Sequence, residues 1–564
     1  MSADLSPGLI LILGAALIPL LPRSLRAAYS IALPIVAFAH LLTVPVGNHG
    51  QFEMLGLTLT TLRVDRLSLL FGYIFLIATL LSVIYAMHEQ DVVQQVASLV
   101  YAGSAVGAVF AGDLVTLFMF WEGTAIASVC LVFAGGTERA YSAGMRYLIV
   151  QVGSGVVLLA GLMLHHEATG SIAFDQLGLD GTAGTLLIFL AFGIKCAFPL
   201  LHNWLQDAYP EATPSGTVTL SAFTTKLAVY ALARGYAGTE ILVPIGAVMT
   251  AFPIFYAVIE NDLRRVLAYS LNNQLGFMVV GIGIGTELSL NGTAAHAFSH
   301  ILYKALLFMS MGAVLLRVGT TKGSELGGLF KSMPWTTGFC IVGAASISAF
   351  PLFSGFVSKA LIIAAAMEEG YYWTWLVLLF ASAGVFHHSG IKIPFFAFFA
   401  HDSGKRCEEA PKSMLVAMGL TATLCVGIGI MPGALYAILP YEVDFAPYTL
   451  EHVVTQLQLL FFSALAFTVL MRTGIYPPEL RSTNLDSDWL YRKLGWRLLR
   501  GADGLVERLW TLVVAAVRSG ARASGTLVRR HHGPDGVFGR TWATGTMAFW
   551  TVTMLAAYLL LSLA

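Results

Sequence analysis

The chain has 564 residues, of which 57% are hydrophobic and 11% are charged, and its 32 basic and 32 acidic side chains give no formal net charge. An ordinary soluble domain carries about 25% charged residues, so this composition excludes a soluble protein and indicates a membrane protein. The balanced charge also excludes a nucleic-acid binder, which needs a basic patch for the phosphate backbone.

Apolar runs long enough to cross a bilayer follow one another along the chain. A spanning helix needs about 20 predominantly apolar residues. Such runs lie near residues 8–22, 27–46, 67–87, 94–111, 113–134, 144–165, 184–208, 215–236, 240–259, 263–284, 292–317, 335–366, 372–396, 413–432, 453–472 and 542–563. The predicted fold class is therefore an all-α polytopic membrane protein with about 16 transmembrane helices.

Basic residues are concentrated on one side of this arrangement. Alternate loops on that side carry Arg23, Arg26, Arg139, Arg146, Arg264, Arg265, Arg317, Lys322, Lys331, Lys405, Arg406 and Lys412. The opposite side carries chiefly Arg63, Arg66 and Arg234. Cytoplasmic loops are enriched in Lys and Arg, so the arginine-rich side is predicted to be cytoplasmic.

The segment from about Ser487 to Arg530, between the last two runs, has a different pattern. Apolar residues such as Trp489, Leu494 and Trp510 recur at helical spacing among many arginines. This pattern is typical of an amphipathic helix that lies in the membrane interface. At 1.5 Å per residue, a continuous helix here would extend roughly 65 Å. Two interpretations remain open, a lipid-facing anchor and a strut that contacts neighbouring subunits.

Several ionisable residues lie inside the apolar runs. Such residues are costly in a membrane and by default mark an ion or proton path. They are Glu122, Lys195, Lys226, His296, His300, Lys304 and Lys359. Lys392 and Glu260 lie nearer to the ends of their runs, where they are expected to reach water, and they are left out of the predicted path.

His296, His300 and Lys304 are spaced four residues apart, which places them on one face of a helix. A proton can be relayed along such a stripe. Either histidine alone is typical of a hydrogen-bonded structural residue. Two histidines and a lysine on one face of a membrane helix favour a relay.

The tetrapeptide AFPL occurs at 197–200 and again at 349–352, with Lys195 and Lys359 close by. Proline removes a backbone hydrogen bond and clashes with the carbonyl four residues earlier, so a broken helix is predicted at each copy. Broken membrane helices are tolerated where they line protein or a wet cavity. The repetition predicts an internal repeat with two half-channels that meet near the middle of the bilayer.

No cofactor or metal is expected. The five cysteines, Cys130, Cys196, Cys340, Cys407 and Cys425, form no CxxC or haem-attachment motif. The sequence also contains no phosphate-binding loop, and the glycines at 281–292 follow an apolar run instead of opening a βαβ unit. Any redox chemistry would therefore belong to a partner.

Six segments in this order resemble one family. They are DLVTLFMFWEG (113–123), KCAFPLLHNWLQDAYPEATPSGTV (195–218), LSAFTTKLAVYALAR (220–234), DLRRVLAYSLNNQLGFM (262–278), HAFSHILYKALLF (296–308) and FPLFSGFVSK (350–359). The chain thus resembles the antiporter-like subunits shared by Mrp-type sodium/proton antiporters, especially their D-type subunit, and the membrane arm of respiratory complex I. The likeness covers roughly residues 65 to 435.

The resemblance implies two inverted five-helix repeats, each with a broken helix. It implies that Glu122 pairs with Lys195 and that Lys226 is the lysine of the next helix. His296, His300 and Lys304 correspond to the central relay, and Lys359 corresponds to the terminal lysine of the second half-channel. The lateral helix with one further span resembles the longest members of the family.

The predicted organisation has six parts. They are N-terminal transmembrane helices (1–112), a first half-channel repeat (113–259), a second half-channel repeat (260–400), C-terminal transmembrane helices (401–484), the amphipathic lateral helix (485–540) and a final transmembrane helix (541–564). The resemblance implies a bacterial inner membrane, other membrane subunits as partners, and protons, with Na⁺ or K⁺ as candidate exchanged ions. The lateral helix is expected on the cytoplasmic side.

The leading functional hypothesis is a proton-translocating subunit of a multisubunit Mrp-type monovalent cation/proton antiporter. One alternative is a proton-pumping subunit of a complex I-type or hydrogenase-type redox complex, or of an inorganic-carbon uptake system. A structural scaffold and an independent solute transporter are further hypotheses from other classes. A scaffold would gain little from buried lysines, because polar contacts between membrane helices contribute only about 0.6 kcal/mol on average.

Overall fold

A computed structural model describes residues 4–477, 479–480 and 484–563. Two compact units are present, Met1–Asn484 and Leu485–Ala564. The helices of the first unit are α1 Pro7–Ala15, α2 Arg23–Leu41, α3 Arg66–Tyr85, α4 Val92–Val109, α5 Leu114–Phe133, α6 Glu138–Thr169, α7 Ala183–Lys195, α8 Asn203–Ala208, α9 Pro214–Ala222, α10 Thr224–Gly235, α11 Leu242–Ile259, α12 Leu263–Ile284, α13 Glu287–Val318, α14 Pro334–Ile347, α15 Ser354–Glu368, α16 Tyr372–Val385, α17 Lys412–Ile430, α18 Pro432–Tyr436 and α19 Leu450–Thr473. Two π-helical segments, Phe386–Lys392 and Phe395–Phe399, continue α16.

Among the described residues, eleven helices are long and apolar enough to cross a membrane. The other predicted runs form shorter, interrupted or less apolar helices, namely α1, α7 with α8, α9 with α10, α12, and α14 with α15. The protein is therefore a multi-span membrane protein, and the total of sixteen spans stays a prediction.

The prediction of an all-α fold is wrong between α2 and α3. Strands β1 Gly47–Met54 and β2 Leu57–Val64 form an antiparallel hairpin that pairs Gly47 with Val64 and Met54 with Leu57. Leu55 and Gly56 form its two-residue turn with φ of +54° and +78°, the positive values that a tight hairpin turn needs. The alternating, moderately polar residues of this segment are typical of strands.

Helix α13 is 32 residues long, is mostly buried and carries the predicted stripe. Side-chain caps fix where many helices begin. Asp113, for example, accepts a 2.7 Å hydrogen bond from the amide of Thr116 at the start of α5.

Helices α11 and α12 approach closely where Gly246 faces Gly276. A Cβ on either glycine would meet the backbone of the other helix. Small residues at such contacts are typical of membrane helix packing.

The second unit contains α20 Trp496–His532, preceded by a π-helical turn at Leu490–Gly495, and α21 Thr544–Leu563. The amphipathic helix predicted between the last two spans is thus present as 37 helical residues, about 55 Å long at 1.5 Å per residue.

Candidate functional site

The helix break predicted at the first AFPL is present, and it places Lys195 at the last position of α7. The amide of Phe198 donates a 3.0 Å hydrogen bond to the carbonyl of Gly193. The amide of Ala197 donates a 3.1 Å hydrogen bond to Ile194. This pair of bonds closes a Schellman motif, and Ala197 has the left-handed φ, +61°, that the motif requires.

The second AFPL has the same backbone. The amide of Phe350 donates to the carbonyl of Ala345 at 3.0 Å, and that of Ala349 donates to Ser346 at 3.1 Å. Ala349 has a φ of +56°, and the leucines that end the two tetrapeptides have φ of +70° and +74°. Each left-handed non-glycine residue costs about 1 to 3 kcal/mol and persists only where its surroundings hold it. Both breaks are therefore fixed features of the fold.

The Lys195 amine is fully buried and is held by helix α5. Its Nζ donates to the carbonyl of Trp121 at 2.6 Å and to the hydroxyl of Thr124 at 2.9 Å. It also lies 4.4 Å from the centre of the Trp121 ring, where a cation is attracted to the π face. The indole N–H donates to Ser154 at 3.1 Å, so the ring itself is fixed.

Glu122 lies on the same helix as these partners, but its carboxylate does not contact the Lys195 amine. Among the described residues, no ion pair within 4.0 Å joins the two. Oxygen Oε1 of Glu122 is buried without a hydrogen-bond partner and lies in the space left by Gly155, where a Cβ would overlap it. The pairing that the resemblance implies is thus not a direct bond here, and the role of Glu122 stays a prediction.

Lys226 lies beside a third break, which the sequence did not indicate. Helix α9 ends at Ala222 and α10 begins at Thr224, with Phe223 between them. The fully buried Lys226 amine donates to the carbonyl of Ser221 at 2.6 Å. No proline or glycine marks this break, and the only local signal is the run of hydroxyl residues next to the lysine. The carbonyl of Ser221, freed at the end of α9, therefore solvates the amine.

The histidines of the stripe lie on one buried face of α13, as predicted. The rings of His296 and His300 are nearly parallel, with centroids 6.1 Å apart. Nδ1 of His296 lies 3.1 Å from the Ser358 hydroxyl, and Nε2 lies 3.3 Å from the hydroxyl of Tyr303. Tyr303 in turn donates to Gln274 at 3.0 Å. Sequence reasoning missed these neutral partners, although the polar run at 272–274 inside an apolar helix was a signal.

His300 and Lys304 continue the stripe toward the arginine-rich side. Both ring nitrogens of His300 are buried and have no hydrogen-bond partner among the described residues. The Lys304 amine donates to the Ser270 hydroxyl at 2.8 Å. An imidazole with two unoccupied nitrogens, beside an amine, can both accept and release a proton.

Lys359 lies on α15, next in the chain after Ser358. Its buried amine donates to the carbonyl of Ile347 at 2.8 Å and lies 5.1 Å from the centre of the Phe277 ring. Ile347 is the last residue of α14, so the lysine caps the negative end of the broken helix. Through the hydrogen bond between Ser358 and His296, the second break contacts the stripe.

The structure thus groups the predicted residues into three places. Lys195 and Glu122 lie at the first break, Lys226 lies at the third, and the stripe lies with Lys359 at the second. Among the described residues, no direct hydrogen bond joins one group to the next. Each group contains at least one side chain that can hold or release a proton, which is the chemistry that a stepwise transfer needs.

The expectation that Lys392 and Glu260 reach water was wrong. The Lys392 side chain is 0% exposed and Glu260 is 6% exposed. Nζ of Lys392 lies 2.9 Å from Oε1 of Glu479 and donates to the carbonyls of Val258 and Glu260 at 2.6 and 2.7 Å. Glu479 is far away in the sequence, so no local pattern could reveal this pair.

Comparison with known proteins is consistent with these features. The family described as "NADH:quinone oxidoreductase/Mrp antiporter, TM" matches residues 111–426. The D-type subunit of the Na(+)/H(+) antiporter of Alkalihalophilus pseudofirmus is 30% identical over 366 residues, which cover 61% of this chain and 73% of that protein. Hydrogenase-4 component B of Escherichia coli is 27% identical over 426 residues, 66% of this chain and 62% of that protein.

The fold is also found in a solved assembly. A chain of the Mrp complex from Dietzia sp. DQ12-45-1b superposes with a TM-score of 0.74 at 22% identity, over 99% of this chain and 62% of that chain. The family match covers more than half of the sequence and includes all three helix breaks and all seven predicted residues. The chain belongs to the NADH:quinone oxidoreductase/Mrp antiporter transmembrane family and is an antiporter-like membrane subunit.

Proposed function

We propose that this chain is the proton-translocating subunit of a multisubunit Mrp-type monovalent cation/proton antiporter in a bacterial inner membrane. Its partners are other membrane subunits, and the exchanged ion is Na⁺ or K⁺. The relatives support this assembly, since they include an Na(+)/H(+) antiporter subunit and a chain of an Mrp complex.

One observation carries the proposal. The four buried amines of the path are held by neutral oxygen atoms and not by carboxylates, at distances of 2.6 to 2.9 Å. They belong to Lys195, Lys226, Lys304 and Lys359. In contrast, Arg234 makes a 2.8 Å ion pair with Asp65, which is typical of a structural contact. A lysine amine that donates only to neutral oxygen atoms can exist in both its charged and its neutral form more readily than one paired with a carboxylate. A proton carrier needs both forms.

In this proposal, protons pass through two half-channels built from inverted five-helix repeats at 113–259 and 260–400. Lys195 and Lys226 carry the proton in the first. The stripe on α13 carries it between the halves, and Lys359 carries it in the second. Glu122 acts on Lys195 through charge, without a bond, and so changes how firmly the amine holds its proton.

A redox-driven proton pump is the second candidate. The likeness to hydrogenase-4 component B favours it, because that match covers as large a share of this chain as the match to the antiporter subunit. The same residues would move protons in that case. The two candidates differ in what drives the movement, and no cation would then be exchanged.

The test uses the intact complex in inverted membrane vesicles with a fluorescent pH indicator. Release of a preformed pH gradient by added NaCl or KCl supports the antiporter, whereas acidification driven only by an added electron donor supports the redox pump. Lys304→Ala should remove the activity, and Lys412→Ala, which changes an exposed lysine, should not. Full activity in Lys304→Ala complexes would contradict both candidates.

We also propose that α20 lies along the cytoplasmic membrane surface as a strut between subunits. Its arginines and its aromatic residues, among them Trp496 and Trp510, support an interfacial position. A Ser519→Cys variant should react with a membrane-impermeant maleimide in inverted vesicles and not in intact cells. Unchanged wild-type chains, which already contain five cysteines, give the background. Labelling only in intact cells would place the helix on the other side.

A further inference from the structure

The sequence FHHSGIK forms the π-helical segment Phe386–Lys392 that continues α16. A π-helix is rare, and short stretches of it are frequent at functional sites. The segment contains two histidines and a lysine in an otherwise apolar helix. His388, Ser389 and Lys392 in it are fully buried, and none of them belongs to the path proposed above.

A chain of side chains joins this segment to the stripe. The Lys304 amine donates to the Ser270 hydroxyl, the Ser389 hydroxyl donates to Ser270, and Nδ1 of His388 lies beside the Ser389 hydroxyl. Each of these three distances is 2.8 Å. The connection from Lys304 to His388 is thus continuous, whereas no such connection within the described part of the chain joins the three groups of the path. Hydroxyl groups can accept and donate at once, so the chain is suited to proton transfer.

The other end of the segment leads to the protein surface. Lys392 lies four residues after His388, nearly one π-helical turn away, and its amine lies 2.9 Å from Glu479. Glu479 borders a surface cavity together with Ser324, His401 and Tyr476. Gly323 also lines this cavity, and its amide donates to the carbonyl of Asn261 at 2.8 Å. Both residues belong to loops of the arginine-rich side, so the cavity lies on that side. Nε2 of His388 is buried without a partner among the described residues.

A purely structural explanation accounts for only part of this cluster. The Lys392 amine donates to carbonyls at the end of α11, where a cation stabilises the helix dipole, and Glu479 compensates its charge. That explanation does not account for His388 or for its hydrogen bond to Ser389. Glu479 lies outside the spanning helices, and burial raises the pKa of its carboxyl while the neighbouring Lys392 lowers it. Both carboxyl oxygens are themselves buried, so in the branch proposed below a proton reaches them from the cavity that the residue borders.

We propose that Glu479, Lys392, His388 and Ser389 form a proton branch that connects Lys304 to the surface on the arginine-rich side. The branch rests on the proposed role of Lys304 as a proton carrier. Lys392, whose amine must first move from its present partners because it is not hydrogen-bonded to His388, gives a proton to Nε2 of His388 and regains one from the Glu479 carboxyl. His388 releases its Nδ1 proton to Ser389, whose hydroxyl proton passes to Ser270, and Ser270 gives its own to the neutral Lys304 amine. Only N–H and O–H bonds break and form, and one proton moves in total.

The test compares two neighbouring histidines in the assembled complex. His388→Gln keeps a polar side chain that does not carry a proton at neutral pH, and it should lower the initial proton flux about tenfold or more. His387→Gln is the matched control, because His387 packs against Phe467 and Tyr476 and is outside the chain; its flux should stay near wild type. Co-purification of the partner subunits measures assembly.

A second variant tests the branch independently, in case His388→Gln does not fold. Glu479→Gln retains shape at the surface end and should lower flux to a similar degree, with a change in its pH dependence that a merely structural residue would not give. Lys304→Ala in the same vesicles separates the two proposals. If Lys304→Ala removes flux while Glu479→Gln and an assembled His388→Gln keep it, the branch is overturned and the path stands. If Lys304→Ala keeps flux, the path itself fails.

Discussion

The two AFPL breaks share one backbone and differ in the position of their lysines. Lys195 precedes its tetrapeptide and reaches the neighbouring helix α5, close to Glu122. Lys359 follows its tetrapeptide and reaches back to Ile347 on its own broken helix, beside the histidine stripe. The break therefore fixes where an amine can be buried, and the neighbouring helix determines which groups act on it. A carboxylate lies on the helix that holds the amine at the first break, and imidazoles lie beside the second break.

The largest effect is expected from interrupting the stripe, which we propose carries protons between the two halves. Lys304→Ala removes the amine that ends the stripe, and proton flux in inverted vesicles should fall about a hundredfold, in the range that positioned proton carriers contribute. His300→Ala should have a similar effect, because both nitrogens of that ring are unoccupied. The complex should still assemble. Flux near wild type in both variants would show that the halves do not communicate through α13.

A smaller effect is expected from removing the carboxylate that distinguishes the first break. Glu122→Gln should lower flux about tenfold, which corresponds to about 1.4 kcal/mol of lost stabilisation, because the charge that acts on Lys195 is gone. Expression and co-purification should be unchanged. Ser358→Ala is the corresponding change at the second break, where no carboxylate is involved. An equal loss of proton flux in Glu122→Gln and Ser358→Ala would mean that the two breaks do not differ in their dependence on a carboxylate.

Moving the carboxylate should have a weaker effect than removing it. In Gly155→Ala the new methyl group overlaps the Glu122 carboxylate, so the side chain must rotate away, and flux should fall about threefold. Gly153→Ala on the same helix is the control, because a Cβ there meets no atom within 4 Å. A loss of flux in the control as large as in Gly155→Ala would exclude an effect through Glu122.

The smallest effect on transport within the complex is expected from the second unit. Deletion of residues 485–564 removes α20 and α21 but leaves both breaks and the stripe in place. The truncated chain should co-purify with fewer partner subunits, while the flux of each remaining complex stays near wild type. Undiminished co-purification would favour the lipid anchor over the strut.

The sequence predicted the features that depend on local pattern. Apolar runs marked the long helices, the repeated AFPL marked two breaks, and four-residue spacing placed His296, His300 and Lys304 on one face. The break at Phe223 was missed because neither proline nor glycine produces it. The β1–β2 hairpin was missed because long apolar runs do not mark strands, whose signal is a short alternation of apolar and polar residues.

Contacts between distant parts of the chain were the other limit. The distance of Glu122 from the Lys195 amine depends on the space left by Gly155, on a different helix. Likewise, the burial of Lys392 depends on Glu479, which follows only after α17, α18 and α19. Neither contact can be predicted from the sequence pattern of a single segment.

The central claim is that the amines at the breaks release their protons and are not static cations. Lys195→Arg tests it most directly, because arginine keeps its charge at any physiological pH. Lys359→Arg makes the same change at the second break, and Lys412→Arg, at an exposed lysine, is the control. Assembled complexes with either buried arginine should lose proton flux, and the control should retain it. Wild-type flux in an assembled Lys195→Arg complex would contradict the account, since a permanently charged side chain cannot hand on a proton.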